Sequence, residues 1–296
     1  FIYLINLYNK TLLLYRFALS VSYYNYWVFL HFSCMDKFCY IVHMTQNPQW
    51  LQDWYEESYS LFRSPEAINI ETENINSLGN ERIYYQHLPP VSNLARVAMV
   101  KLNGGLGTSM GCTGPKSMIK CAPDGRNFLD IIVDQYQQND SISDLIFLNS
   151  FNTTSQTNAY FNEQYPELRW HEVMQHPFKK IDAVSKKPYS DDAPTSSNPP
   201  GHGSIYFDLY YSGILSSLKE NGVTYLFISN ADNLAASVDP VISSYLESTK
   251  PPFLIELTEK YDSDKKGGTV INYNGQLKLW ESAQVSPDQV DLFESQ

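Results

Sequence analysis

Five glycines between residues 104 and 114 constrain this chain more than any other feature of its sequence. They follow an apolar run, and residues 97–116 read VAMVKLNGGLGTSMGCTGPK. The run predicts a buried strand that leads into a loop. Glycine lets the backbone approach a ligand closely and adopt positive φ, so that successive N–H groups can point at phosphate oxygens. With Lys116 as a point charge, the string favours a phosphate-binding loop over an ordinary glycine-rich turn, although it matches neither GxGxxG nor GxxxxGK[ST].

Other apolar runs predict the rest of a sheet. Buried strands are predicted at residues 145–148, 223–228 and 253–257, and helical spacing occurs at residues 128–136 and 206–218. Strands that alternate with helices indicate an α/β fold with a mainly parallel, Rossmann-like sheet. Ligands of such sheets bind at the carboxyl ends of the strands. Asn274 and Gly275 add a strong signal for a hairpin turn.

The composition excludes several classes of protein. A hydrophobic fraction of 43% over 296 residues is enough to fill a core. The net charge of −11 argues against nucleic acid as a partner, because that function normally needs a basic surface. The four cysteines form no CxxC pair, so reduced thiols in a cytoplasmic protein are favoured over a zinc site or a disulfide framework.

Residues 1–43 differ in character from the rest of the chain. They are crowded with Phe, Tyr, Leu, Ile and Asn, and Arg16 interrupts the apolar stretch that could otherwise span a membrane. They also lack the cleavage site of a signal peptide. We predict a non-native or disordered extension, translated from upstream sequence, with Met44 or Met35 as the true start. A membrane anchor and an unusual terminal segment are the alternatives. Residues 44–95 are predicted to form a helical lead-in.

The glycine string resembles the nucleotide loop of one enzyme family. The UTP–glucose-1-phosphate uridylyltransferases, or UDP-glucose pyrophosphorylases, have a loop of the form LNGGLGTxMGxxGPKS, which residues 102–117 match. The related N-acetylhexosamine pyrophosphorylases have Gln in place of Leu106 and Arg-Leu in place of Ser109 and Met110. Further blocks similar to the uridylyltransferase family occur in order at residues 148–153, 199–203, 229–233, 266–269 and 279–285.

The resemblance implies a Rossmann-like nucleotidyltransferase catalytic domain at residues 96–296. The implied reaction is Mg²⁺-dependent, in-line transfer of a uridylyl group from UTP to glucose 1-phosphate, giving UDP-glucose and pyrophosphate in the cytoplasm, with no membrane partner. Lys116 and Asp232 match catalytic positions, and Asp232 also matches the position that holds Mg²⁺. A hard ion bound by one carboxylate and substrate oxygens suits a single Asp. The alternative for Asp232 alone is a helix cap.

The resemblance also implies binding residues. The nucleotide-binding positions are Leu102, Asn103, Gly104, Gly105, Gly107, Thr108, Met110, Gln175 and Gly201. The positions that match sugar-phosphate contacts are His202, Asn230, Gly268 and Glu281. Gln175 matches the residue that reads uracil, since an amide offers a donor and an acceptor together. The alternatives are a structural role for His202 and simple turn or strand-end chemistry for the other sugar-side residues.

The chain departs from the family pattern after residue 296. An Asn-rich sugar-contacting segment, a further catalytic lysine and a C-terminal left-handed β-helix would follow in the family. We therefore expect a domain truncated at its C-terminal end, with poor turnover as given and with any oligomer formed through the missing region. The alternatives are an inactive nucleotide-binding fragment and a UDP-sugar pyrophosphorylase of broader sugar specificity.

Overall fold

The described part of the chain is an α/β fold. The computed structural model describes residues 2–6, 49–63, 74–76, 78–79, 82–107, 111, 114–191, 193–258, 268–281 and 285–291. The helices are α1 (Gln49–Arg63), α2 (Phe128–Gln137), α3 (Thr154–Gln164), α4 (Ile205–Tyr211), α5 (Ile214–Glu220) and α6 (Pro240–Thr249). The strands are β1 (Ile2–Asn6), β2 (Ile75–Asn76), β3 (Val97–Asn103), β4 (Ile142–Asn149), β5 (His171–Met174), β6 (Phe178–Lys179), β7 (Ser197–Asn198), β8 (Tyr225–Asn230), β9 (Phe253–Glu256), β10 (Gly268–Tyr273) and β11 (Gln276–Glu281).

The central sheet has the strand order β5-β4-β3-β8-β1-β9. β3 pairs in parallel with β4 and β8, and β4 pairs in parallel with β5. β1 runs antiparallel to both β8 and β9. This mixed but mainly parallel sheet confirms the predicted fold class, and it places the carboxyl ends of β3, β4 and β8 at one edge.

β3 forms the middle of the core, and all seven of its residues are buried. Its side chains alternate between two hydrophobic clusters, with Met99 in one and Val100 in the other. α2 and α6 contribute to the first cluster, whereas α4 and α5 contribute to the second. Helices therefore cover both faces of the sheet, as a parallel sheet requires. Full burial of one such side chain stabilises the fold by roughly 1.5–3 kcal/mol.

The helix predicted at residues 128–136 and the hairpin turn predicted at Asn274 and Gly275 are both confirmed. α2 begins at a capping box, in which the Asn127 side chain accepts from the Asp130 amide and the Asp130 carboxylate accepts from the Asn127 amide. The hairpin of β10 and β11 turns at Asn274 and Gly275, whose φ angles are +52° and +74°. Two positive φ angles are what a type I′ turn needs, and glycine supplies the second without strain.

The stretch predicted as one helix at residues 206–218 is two helices. Gly213 interrupts it with a left-handed φ of +78°, which an L side chain rarely adopts, so α4 ends before it and α5 begins after it. The helical spacing of both halves was correct. The break comes from a backbone conformation that hydrophobic periodicity does not report.

The region before residue 96 is described in part. α1 supplies the predicted helix, and its Trp54 stacks on Phe207 of α4 with ring centroids 4.5 Å apart. Residues 7–48 lie outside the described residues. Ile2–Asn6 forms a strand that pairs with β8 and β9. That residues 1–43 are a non-native or disordered extension stays a prediction. Within the described ranges, no helix is long and apolar enough to cross a membrane.

Candidate functional site

The site lies where three parallel strands end. The register pairs Asn103 of β3 with Asn149 of β4, and Leu102 with Asn230 of β8. The three strands therefore end level with one another. The residues that follow them, from Gly104, Ser150 and Ala231 onward, meet at one edge of the sheet, where ligands of parallel sheets bind.

The glycine string folds back on itself as a closed loop. The Lys116 amide donates to the Gly105 carbonyl, and the Gly107 amide donates to the Gly114 carbonyl, both at 3.1 Å. Gly111 has a φ of +74°. These bonds join the two arms of the loop, so Lys116 returns to the end of β3. Thr108 and Met110, predicted to bind nucleotide, lie outside the described residues.

Gly104 and Gly105 differ in their surroundings. A Cβ atom on Gly104 would lie 2.1 Å from Oε1 of Gln175, whereas one on Gly105 would meet nothing within 4 Å. Gly105 is exposed, and Gly104 is partly buried. Gly104 is therefore required because the Gln175 amide packs against it, and Gly105 leaves an open backbone surface for a ligand.

Gln175 is held by hydrogen bonds within the protein. Its side chain is buried, and its Nε2 donates to the Gly201 carbonyl at 2.8 Å and to Oγ of Ser204 at 2.9 Å. A carbonyl can only accept, so the nitrogen of the amide faces Gly201 and the oxygen faces Gly104. The structure thus brings together Gln175, Gly104 and Gly201, for which the family resemblance implies one nucleotide site. Their contacts with a nucleotide stay predictions.

The buried Asn103 side chain connects the glycine loop to neighbouring elements of the fold. Its Oδ1 accepts from Oγ of Ser117 at 2.5 Å. Its Nδ2 donates to Oδ1 of Asn149 at 2.7 Å and to Oγ1 of Thr157 at 3.1 Å. The amide therefore ties β3 to β4, α3 and the residue after Lys116. Its contacts in the structure are with protein groups, and its role toward a nucleotide stays a prediction.

Lys116 and Asp232 form an ion pair at the mouth of the site. The Lys116 Nζ atom lies 2.5 Å from Oδ2 of Asp232, and the two side chains are 38% and 31% exposed. Lys116 begins a short 3₁₀ helix, and Asp232 follows the end of β8. Two residues 116 positions apart thus meet, and each is open enough to change partners when a charged ligand arrives. The solvent weakens this attraction.

His202 stands near the same pair. Desolvation lowers the pKa of its imidazole below the ordinary value. The negative charge of Asp232 opposes that shift, and the positive charge of Lys116 adds to it. Burial of the ring therefore favours its neutral form, although the residue as a whole keeps an exposed surface. A neutral imidazole beside a phosphate site can donate or accept one hydrogen bond without adding charge.

The remaining sugar-side residues lie on two different sheets. Asn230 ends β8 of the central sheet, and its carbonyl accepts from the Asn233 amide. Gly268 begins β10 and pairs with Glu281 at the end of β11. The structure therefore brings Gly268 and Glu281 together through strand register. Their roles in binding a sugar stay predictions.

The charge and ligand count indicate how a metal ion could bind. Among the described residues, no group of three or more His, Cys, Asp or Glu side chains could hold a metal ion. Asp232 is a single, partly exposed carboxylate, and Mg²⁺ commonly takes one or two carboxylates together with phosphate oxygens and water. The residues present fit a Mg²⁺ ion that arrives with its substrate.

The sequence reasoning missed several residues that shape this site. Ser117 and Ser204 hold Asn103 and Gln175 in place. Lys101 is buried and contacts Ser229 and Ala236, which lie on either side of Asp232 in the sequence. Ser204 gave no signal, and Ser117 was marked only as the last residue of the loop pattern at residues 102–117, because the spacing of neither serine indicates a hydrogen-bond partner. Lys101 did give one, since a lysine inside the apolar run at residues 97–102 is unusual for a buried strand.

A mainly parallel sheet that carries a glycine loop and an opposed Lys–Asp pair at its carboxyl edge defines an α/β fold of the nucleotidyltransferase type. A family model described as UTP–glucose-1-phosphate uridylyltransferase matches residues 54–296. The chain belongs to this family.

Known relatives agree with that assignment. A UTP–glucose-1-phosphate uridylyltransferase of Saccharomyces cerevisiae is 39% identical over 234 residues, 76% of this chain and 47% of the relative. One of Encephalitozoon cuniculi is 37% identical over 84% of this chain and 52% of its own length. Among solved structures, the S374F mutant of Leishmania major UDP-glucose pyrophosphorylase in complex with UDP-glucose has a TM-score of 0.72 at 31% identity, covering 84% of this chain and 57% of that one. The chain spans about half the length of the curated relatives it matches.

Proposed function

We propose that the protein transfers the uridylyl group of UTP to glucose 1-phosphate and releases UDP-glucose and pyrophosphate. The observation that carries the proposal is the meeting of Lys116 and Asp232 beside the glycine loop. Family membership supports the reaction class, and the solved relative bound to UDP-glucose supports the substrate class.

The proposed chemistry is a displacement at phosphorus. A phosphate oxygen of glucose 1-phosphate forms a bond to the α-phosphorus of UTP, and the bond from that phosphorus to the bridging oxygen of pyrophosphate breaks. Nothing is oxidised or reduced, and the electron pair leaves on pyrophosphate. The protein's task is to position two polyanions and to offset their repulsion, which is where catalysis of this kind obtains most of its rate.

The chain's own groups divide that task. The Lys116 ammonium is free to leave Asp232 and to contact phosphate oxygens, and the exposed backbone at Gly105 accepts the polyphosphate chain. Bound Mg²⁺ supplies charge neutralisation and orients phosphate oxygens. Asp232 is the carboxylate that would hold the ion once Lys116 has turned to the phosphate. The neutral His202 contributes a hydrogen bond near the sugar phosphate.

Gln175 is proposed to read the base. Its nitrogen is committed to Gly201 and Ser204, so the side chain presents its Oε1, an acceptor, beside Gly104. Uracil carries an N–H donor on the edge where cytosine carries a bare acceptor, so a fixed acceptor favours uracil. We include Leu102, Asn103, Gly107, Thr108 and Met110 with this nucleotide site, and Asn230, Gly268 and Glu281 with the sugar site. We also propose that the protein works in the cytoplasm.

The test is an assay of the full-length protein that carries these residues. Pyrophosphate release is measured with UTP, Mg²⁺ and a panel of sugar 1-phosphates, and CTP replaces UTP as the base control. The proposal expects turnover with UTP and glucose 1-phosphate, and weaker turnover with CTP. Absence of pyrophosphate release with every sugar in the panel would contradict it, and equal rates across the panel would favour a broader UDP-sugar pyrophosphorylase.

A further inference from the structure

Lys101 is a fully buried lysine in the middle of the central sheet. It lies on β3, has no exposed surface, and its Nζ sits 5.5 Å from the centre of the Phe227 ring. The same Nζ donates to Oγ of Ser229 and to the carbonyl of Ala236, both at 2.9 Å. No carboxylate lies within ion-pairing distance of it among the described residues.

Stability alone does not account for this residue. Burial of an ammonium without a paired carboxylate is unfavourable, and an apolar side chain of similar volume would avoid that cost. The cost of burying the charge also changes the ionisation of the side chain, because desolvation lowers the pKa of Lys101 to about 7. A group that opposes folding in this way is a candidate for a functional role.

The two acceptors of Lys101 bracket the segment that carries Asp232. Ser229 lies in β8 just before that segment, and Ala236 lies just after it, so one nitrogen atom ties both ends together. The backbone adds a third connection, because the Ala231 amide donates to the carbonyl of Leu102, the neighbour of Lys101 on β3. The segment at residues 230–235 is therefore anchored to the same strand that leads into the glycine loop.

We propose that Lys101 is a positioning residue that fixes the loop at residues 230–235, and with it the carboxylate of Asp232, relative to the glycine loop. The inference rests on the proposed function, in which Asp232 must exchange Lys116 for a metal ion without moving. Lys101 touches no substrate in this proposal. It acts through Ser229 and Ala236. The glycine loop and the loop at residues 230–235 are both attached to β3, so this strand fixes their relative positions.

The test compares Lys101→Met with Ser229→Ala and with Met99→Leu, all in the full-length protein. Lys101→Met keeps the volume and removes both hydrogen bonds, and Ser229→Ala removes one. Met99→Leu is the matched control, because it changes a buried side chain on the same face of β3 and leaves Lys101 in place. Each variant is measured for thermal unfolding, for kcat and the KM of UTP, for Mn²⁺ affinity, and for amide hydrogen exchange at residues 231–236.

We expect Lys101→Met to lower kcat roughly 10–100-fold, the range seen when groups that orient a metal ligand are lost. Mn²⁺ affinity should fall and exchange at residues 231–236 should rise, while the unfolding temperature stays the same or increases. Ser229→Ala should give a smaller loss, and the double variant should lose less than the sum of the two, since both remove one interaction. Met99→Leu should leave kcat and exchange near wild type.

Different results separate the two proposals. If Asp232→Asn removes activity but Lys101→Met leaves kcat, Mn²⁺ affinity and exchange unchanged, the positioning role is overturned and the proposed function stands. If Lys101→Met does not fold, Ser229→Ala decides the question by the same three measurements. If the wild-type protein shows no transferase activity, the proposed function fails, and exchange at residues 231–236 still tests the anchoring by itself.

Discussion

The candidate site has a buried side, which we call the underside, and an exposed side, which we call the mouth. The two sides differ in whether their polar groups have fixed protein partners. On the underside, Lys101, Asn103 and Gln175 are buried, and each has fixed protein partners. At the mouth, Lys116 and Asp232 are partly exposed and pair with one another. Buried polar groups cannot give up their partners without a large desolvation penalty, whereas solvated charges exchange partners easily. The underside is suited to hold geometry and the mouth to bind a charged ligand.

The largest effect should come from the mouth. Lys116→Met or Asp232→Asn in the full-length protein should lower kcat about 100–1000-fold, because in the proposed reaction each removes a charge that acts on the phosphates in the transition state. Pyrophosphate release from UTP and glucose 1-phosphate measures it. Lys120→Met, which changes an exposed lysine four residues away, is the control and should remain active. Near-normal rates in both site variants would show that Lys116 and Asp232 are not catalytic residues.

A second comparison uses the two adjacent glycines. Gly104→Ala places a Cβ against Oε1 of Gln175 on the underside, so we expect UTP affinity to fall on the order of 10–100-fold, as for a displaced buried hydrogen-bonding group. A Cβ on Gly105 meets no protein atom, so Gly105→Ala should weaken UTP and CTP binding alike, through contact with the phosphates, and should leave the preference for UTP unchanged. Calorimetric titration with UTP and with CTP distinguishes the two variants, because Gly104→Ala should reduce that preference. An unchanged preference for UTP in Gly104→Ala would mean that the underside does not position the base.

A third measurement follows the free energy of unfolding as a function of pH and separates the contribution of Lys101 from that of the other groups. Its pKa is lowered from 10.5 to about 7 in the folded protein, so between these values the unfolded chain binds the extra proton. Stability should therefore rise with pH above 7, by at most about 1.4 kcal/mol per pH unit. Urea unfolding at pH 7, 8 and 9 tests this, with Lys101→Met as reference. The wild-type protein should gain relative to that variant, and parallel curves would show that Lys101 is solvated.

The smallest effect is the contribution of the Lys116–Asp232 pair to the free energy of unfolding. The pair of Lys116 and Asp232 is partly exposed, so a double-variant cycle of Lys116→Met and Asp232→Asn should give a coupling free energy of about 0–1 kcal/mol in unfolding. Added salt should reduce it. A coupling of several kcal/mol would show that the pair stabilises the fold. The mouth would then hold its polar groups as firmly as the underside does.

Much of the fold could be read from sequence patterns. The strand at residues 97–102, the helix at residues 128–136, and the turn at Asn274 and Gly275 all depend on patterns within a few residues, so local physics already specifies them. The split at Gly213 was missed because glycine is compatible with both a continuous and a broken helix. The pairing of Ile2–Asn6 with β8 and β9 was missed because strand partners distant in sequence leave no local signal.

By itself, the sequence determined that a glycine loop follows a buried strand, and its resemblance led to the family that the comparisons establish. The binding of phosphate by that loop stays a prediction. Only the tertiary structure decided which groups act together. It placed Lys116 on Asp232 across 116 positions, set Gln175 against Gly104, and put Lys101 beneath the loop that carries Asp232. The reason is that spacing along the chain records which residue types are available, whereas hydrogen bonds and desolvation depend on neighbours that only folding brings within 3 Å.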